Sequence, residues 1–215
     1  MTSESRMLWA SLSAFLLLSG LFVWGTMYRR LNTFSAGSRP SIAEERPPTL
    51  PVIRASDPRL GSTSFGAVEL IEFADYRCLH CRAMAPDLLS LLNDSSKNVR
   101  LVWREAPTQD QSREGLLPFL SGRCAHRQGK FAALHPQLFA QASFTEASLI
   151  TLAETQGLDT VRFQACLNDT ALLESIKRDQ AAALDAGITS SPTIFVKGQP
   201  YVGRLERAEL NSFVE

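Results

Sequence analysis

Two cysteines separated by two residues, Cys78-Leu79-His80-Cys81, stand where an apolar run meets a stretch of helical periodicity. The run, residues 67–74, reads AVELIEFA and is nearly continuous in apolar side chains, as a buried strand is. The helical stretch extends from Arg82 to Leu92, with Pro86 expected to kink it. A second strand follows at Val99 to Arg104 and stops before Ala106-Pro107. Strand, helix and strand at this spacing form a βαβ unit with parallel strands. At such a junction the first thiol meets unpaired N–H groups and the positive end of the helix dipole, which favour its thiolate. The second thiol, one turn further on, can attack a mixed disulfide that the first has made. CxxC is also half of a zinc site, so the pair by itself leaves redox and metal chemistry open. Cys124 and Cys166 do not form a second CxxC, and neither has finger-like spacing to His126 or His135, which weighs against zinc.

From about Ser112 to Gly187 every segment is helical in pattern. Phe131, Leu134, Leu138 and Phe139 form one apolar stripe, and Leu149, Leu152 and Ala153 another. Residues 145–148 and 169–171 look like helix starts, and Gly157 and Gly187 like helix ends. The chain then returns to strand at Thr193 to Val196, turns at residues 197–200, continues through Tyr201-Val202-Gly203 and closes with a helix from Glu206 to Phe213. The order is therefore βαβ, a helical block at about 108–187, then ββα. The outer parts need each other to complete a sheet, which makes this an α/β fold with an inserted helical subdomain, spanning residues 62–215. Trp103, Phe131 and Phe139 are read as core, and Glu69 lies on the strand face opposite Glu72.

At 215 residues the chain suits one domain plus a tail, large enough to bury a core without metal or disulfide support. A formal net charge of zero gives no polyanion-binding surface, so nucleic acid is not an expected partner. From Met7 to Tyr28 no residue is charged. About 22 residues at roughly 1.5 Å rise span a bilayer core of roughly 30 Å. Trp9, Trp24 and Tyr28 are placed as interfacial anchors. A cleaved signal peptide is the competing reading, but its apolar core is shorter, about 7–15 residues. Residues 1–30 are thus expected to be a single-pass membrane anchor. Residues 31–61, with Pro40, Pro47, Pro48, Pro51 and Pro58, are expected to be an extended linker. Arg29 and Arg30 pull the following domain toward the cytoplasm. The even number of cysteines behind an export-type segment fits an oxidising compartment instead, and that placement is adopted.

Four stretches taken together resemble the DsbA-like family of thiol-disulfide oxidoreductases: EFADYRCLHC at 72–81, CAHRQGKF at 124–131, Leu138-Phe139, and GITSSPTIFVKG at 187–198. The resemblance runs from about Phe65 to the C-terminus and implies the thioredoxin fold with a helical insertion. It implies Cys78 as nucleophile, Cys81 as resolving thiol, and His80 as a residue that tilts the pair toward oxidation. The span from a thioredoxin-like to a DsbA-like potential, about −270 to about −120 mV, is worth roughly 7 kcal/mol. Leu79 replaces the proline commonest in the family, a residue suited to a first helical turn. Glu72 matches the buried acid that carries a proton for the second cysteine, and burial would raise its pKa.

Pro192, otherwise readable as a trans proline opening a strand, matches a cis-proline beside the cysteines. The backbone of Ser191 would then pair with substrate as a strand does. Leu79, Ser191 and Pro192 border the substrate in this reading, although Ser191 replaces the more frequent valine, threonine or isoleucine. Cys124 and Cys166 correspond to a structural disulfide in some relatives, with two free thiols as the alternative. Closing about 41 intervening residues contributes roughly 3–4 kcal/mol.

The function implied is oxidation of reduced or misoxidised exported proteins at a bacterial inner membrane, with a membrane redox partner to reset the disulfide. No cofactor beyond the Cys78–Cys81 pair and no metal are expected. A reductase or isomerase of the same fold, a copper-handling module and a non-catalytic binding module are the alternatives.

Overall fold

A computed structural model divides the chain into residues 1–45 and 46–215. It describes residues 48–50, 52–106 and 108–214, together with Trp24. The expected anchor at 7–28, Trp24 apart, and most of the expected linker lie outside the described residues. Among the described residues no helix is long and apolar enough to cross a membrane.

The elements in chain order are β1 (Arg59–Gly61), β2 (Val68–Ala74), α1 (Leu79–Asn93), β3 (Val99–Glu105), α2 (Arg113–Arg127), α3 (Phe131–Ala140), α4 (Glu146–Thr155), α5 (Thr160–Leu167), α6 (Thr170–Asp185), β4 (Thr193–Val196), β5 (Gln199–Val202) and α7 (Arg207–Ser212). They build one five-stranded sheet in the order β1-β3-β2-β4-β5. β2 runs parallel to β3, as the βαβ reading requires, and antiparallel to β4. Side chains alternate across β2. Leu70, Glu72 and Ala74 fall on one face, whose apolar members join the cluster that includes Met84, Leu88 and Leu91 of α1. Ile71 and Phe73 fall on the other, packed with Val102, Phe195 and Ala183 of α6. The sheet is therefore covered on both sides.

Three boundaries differ from the sequence reading. The folded region begins before Ser62: Asp57 and Leu60 are buried, and β1, placed within the expected linker, pairs antiparallel with β3. A strand of three residues between Pro58 and Gly61 is too short to display alternation. The first helix starts at Leu79 rather than Arg82 and continues through Pro86. In the last hairpin only Lys197 and Gly198 turn, with φ of 50° and 81°. Positive φ at both central positions is the two-residue hairpin geometry that matches strand twist, so Gln199 and Pro200 already belong to β5.

Helices α2 to α6 form the insertion, and two buried assemblies seat it. The first is aromatic. Tyr76 stacks on Trp103 with centroids 4.7 Å apart, and Phe119, His135 and Phe139 surround Tyr76. Burial pushes the His135 pKa down to about 3 and that of Tyr76 well above its usual value. The neutral imidazole and the Tyr76 hydroxyl share a hydrogen bond through Nδ1, 2.9 Å from the oxygen. Gly122 makes room for this arrangement, since a Cβ there would stand 3.0 Å from the Tyr76 oxygen.

The second assembly is ionic. Arg123 of α2 meets Glu105 through two parallel bonds of 2.6 Å. It also lies 3.5 Å from Asp57 and 3.6 Å from Asp179. Arg104 lies 3.6 Å from Asp57 and 3.9 Å from Asp179, and Arg54 pairs with Asp179 as well. Burial works against the Arg123 charge, but Glu105, Asp57 and Asp179 raise its pKa overall. A disulfide joins Cys124 of α2 to Cys166 of α5, with Cα atoms 5.8 Å apart.

Arg123→Met removes the partner of a wholly buried carboxylate. It is expected to lower the unfolding free energy by about 3–5 kcal/mol, read as a fall in the urea midpoint at unchanged slope.

Candidate active site

β2 delivers the chain to the site and α1 carries it away. Between them Asp75, Tyr76 and Arg77 form a tight turn, in which the Asp75 side chain accepts from the Arg77 N–H at 2.8 Å and the Asp75 carbonyl from the Cys78 N–H at 3.0 Å. Cys78 is the N-cap of α1, with φ −69° and ψ 125°, and Cys81 lies in the first helical turn. Both are free thiols, Cys78 half-buried and Cys81 buried. The α1 N–H groups have no intrahelical acceptor at this end, so they are available to the Cys78 sulfur.

The two sulfurs have opposite acidities. Burial acts to raise the Cys78 pKa, yet hydrogen bonds to the Ser191 side chain, the Cys81 backbone and thiol, and the His80 backbone outweigh it and bring the value below normal. In the protonated state the Cys78 thiol donates to the Ser191 carbonyl at 3.3 Å. Cys81 is raised far above a normal thiol. Its burial dominates, the Asp75 backbone N–H opposes it, and the Cys78 thiol and the Glu72 charge add to it. Glu72, on the α1 face of β2, is 1% exposed, and neither carboxyl oxygen has a hydrogen-bond partner among the described residues. Desolvation raises its pKa from 4.5 to about 8. At neutral pH it is therefore mostly a neutral acid.

The Ser191–Pro192 bond is cis, and it brings Ser191 against Cys78. Pro192 is buried and its carbonyl accepts from the Gly203 N–H at 2.8 Å. Leu79 presents its side chain to solvent, 78% exposed, between the two cysteines. His80 is exposed and reaches Cys78 through its backbone N–H. Cys78, Cys81, Glu72, His80, Leu79, Ser191 and Pro192 thus share one neighbourhood, while Cys124 and Cys166 belong to the insertion. Among the described residues no group of three His, Cys, Asp or Glu side chains is arranged to hold a metal ion.

Sequence reasoning did not single out the turn before Cys78. Asp75 supplies a backbone N–H to the Cys81 sulfur, and its own carboxyl pKa is raised by burial against the opposing Arg77 N–H and charge. Tyr76 is locked to α3 through His135. Arg77 reaches across to α2, where its guanidinium donates to the carbonyls of Gly115 and Glu114.

The fold has counterparts among known proteins. A family model described as thioredoxin matches residues 56–215. An Na(+)/H(+) antiporter NhaA 3 of Salinispora tropica is 33% identical over 137 residues, covering 63% of this chain and 21% of the antiporter. The chain therefore spans about a fifth of the length of the first curated relatives it matches. The thiol:disulfide interchange protein DsbA of Bordetella parapertussis is 23% identical over 149 residues, covering 66% of this chain and 69% of that protein. A thioredoxin-like oxidoreductase from Silicibacter pomeroyi superposes with a TM-score of 0.64 at 27% identity, covering 74% of this chain and 91% of that one. With a model match over most of its length and a CxxC pair at the strand–helix junction, the chain belongs to the thioredoxin family.

Proposed function

We propose that this thiol-disulfide oxidoreductase works as an oxidase, held at the outer face of a bacterial inner membrane by residues 7–28, and that it donates the Cys78–Cys81 disulfide to exported proteins. The observation that supports this reading is the contrast between a half-buried Cys78 of lowered pKa and a buried Cys81 of raised pKa. A pair whose outer thiolate is stabilised favours the reduced state, and so gives its disulfide away.

In the oxidised enzyme a substrate thiolate attacks the Cys78 sulfur. The Cys78–Cys81 bond breaks, its electron pair goes to Cys81, and a substrate–Cys78 disulfide forms. The Cys81 sulfur, disfavoured as an anion by burial, takes the proton of Glu72. A second substrate thiolate then attacks the substrate sulfur of the mixed disulfide, releasing Cys78 as the stabilised thiolate. The substrate has lost two electrons and the enzyme has gained them, for a membrane redox partner to remove. The Ser191 backbone, beside Cys78, offers strand-like bonds that hold a polypeptide without choosing its sequence.

Equilibration with glutathione is expected to give a potential nearer about −120 than about −270 mV, and a value at the lower figure would sink the oxidising direction. Cys81→Ser is expected to accumulate a mixed disulfide with glutathione, and Cys78→Ser none, as read by mass. A phosphatase that needs disulfides, fused after Arg30, is expected to be active; an inactive fusion at normal expression would place the domain inside the cytoplasm.

Glu72 gives a pH signature. Between about 4.5 and about 8 the native protein holds a proton on Glu72 that the unfolded chain has lost, so the stability this proton confers falls as pH rises through that window. The unfolding free energy of Glu72→Gln minus that of the wild type is therefore expected to climb by about 1.4 kcal/mol per pH unit across the window and to level off above it. A pH-independent difference in urea titrations would show that Glu72 is ionised when folded.

A further inference from the structure

The residue immediately before Cys78 is anchored by a carbonyl that a proline sets free. Within α2, Pro118 lacks the N–H that would bond the carbonyl four residues back, that of Glu114. The Arg77 guanidinium supplies the missing donor through Nη2 at 3.0 Å, while Nη1 donates to the neighbouring carbonyl of Gly115. The guanidinium carbon also lies 5.1 Å from the centre of the Phe144 ring, in the segment between α3 and α4.

The acceptor side is rigidly built. Ser112 caps α2 by accepting from the Gly115 N–H at 3.0 Å and itself donates to Asp110 at 2.6 Å. A Cβ on Gly115 would fall 2.3 Å from the Asp110 carboxyl carbon, so only glycine lets this loop close against the helix. At the other end of the arginine, its backbone N–H is held by Asp75, whose carbonyl in turn accepts from the Cys78 N–H.

We propose that Arg77 is a positioning residue for the nucleophile: its two-pronged bond to the Glu114 and Gly115 carbonyls fixes the 75–77 turn and so aims the first N–H groups of α1 at the Cys78 sulfur. This rests on the reading of Cys78 as nucleophile. The guanidinium is directed away from the sulfur, toward α2 and Phe144, and the groups that lower the Cys78 pKa are Ser191, Cys81 and His80. Arg77 therefore acts through the geometry of the turn and not through its charge. Lysine separates the two, because it keeps the charge but cannot form the parallel fork.

The experiment uses the full chain and measures the Cys78 thiolate midpoint by ultraviolet absorbance, the equilibrium with glutathione, and urea stability. Wild-type exchange through Cys78 tests the nucleophile reading, and its absence would defeat that reading whatever Arg77 does. For Arg77→Ala and Arg77→Lys alike, the thiolate midpoint is expected to rise by about one unit and the glutathione equilibrium to move about tenfold toward the oxidised enzyme. Wild-type midpoint and equilibrium in Arg77→Lys would overturn the proposal in favour of charge. Values within twofold of wild type in Arg77→Ala, with only urea stability reduced, would leave Arg77 a merely structural contact and overturn it too. If the alanine variant does not fold, the lysine variant carries the test alone.

Discussion

Two buried arginines and three buried carboxylates share one cluster, with half-exposed Arg54 at its rim, and the placement of everything around the site depends on it. Arg54 and Asp57 come from the segment before β1, Arg104 and Glu105 from β3, Arg123 from α2 and Asp179 from α6. Each charge is costly out of water, and a well-packed apolar substitute for the whole set could be as stable. Once some members are present, however, the others are obligatory, because any one left alone is an uncompensated buried charge. Such a cluster accepts only one mutual arrangement of its four segments. It therefore seats the C-terminal half of α2 against the end of β3, and makes residues 54–57 part of the domain rather than of a tether.

That seating matters because α2 runs from the ionic cluster to the turn before Cys78. Near its C-terminus it carries Arg123 and Cys124, and in its first turn it offers the carbonyls that hold Arg77. The Tyr76–His135 bond makes a parallel connection from the same turn to α3. Two successive residues before Cys78 are thus fastened to two different helices of the insertion. A thioredoxin-type βαβ unit is sufficient to place CxxC at a helix start. The insertion adds a platform under the turn, tied to it through Tyr76 and Arg77.

What could be read in the sequence follows the range of the interactions. β2, β3 and β4 were legible because burial writes itself as continuous apolar runs, and the helical block because its periodicity is local. The placement of Cys78 and Cys81 at a strand–helix junction was legible because an apolar run and a helical period flank them. Glu72 was legible as the acid that shares its strand face with Leu70 and Ala74, whereas Glu69 points to the other face. The ionic cluster was not, since its partners lie far apart in the chain and each Arg or Asp alone resembles a solvated surface charge. β1 was too short to show a period. His135 was passed over because its partner is a tyrosine 59 positions earlier. Pro118 was a partial signal: a proline inside a helix announces an orphaned carbonyl four residues back, but nothing local says that Arg77 will fill it.

The site couples two opposite uses of burial. For Cys81 and Glu72 removal from water is the dominant influence, and it holds both groups in their protonated forms near neutrality. For Cys78, only half-buried, the same penalty is overcome by hydrogen bonds from a helix start and from the cis-proline loop. The outer sulfur is therefore one whose anion is accommodated, and the inner one a thiol that burial keeps protonated. Glu72 lies on the same face of β2 that α1 covers, so the two protonated groups are buried on one side of the sheet.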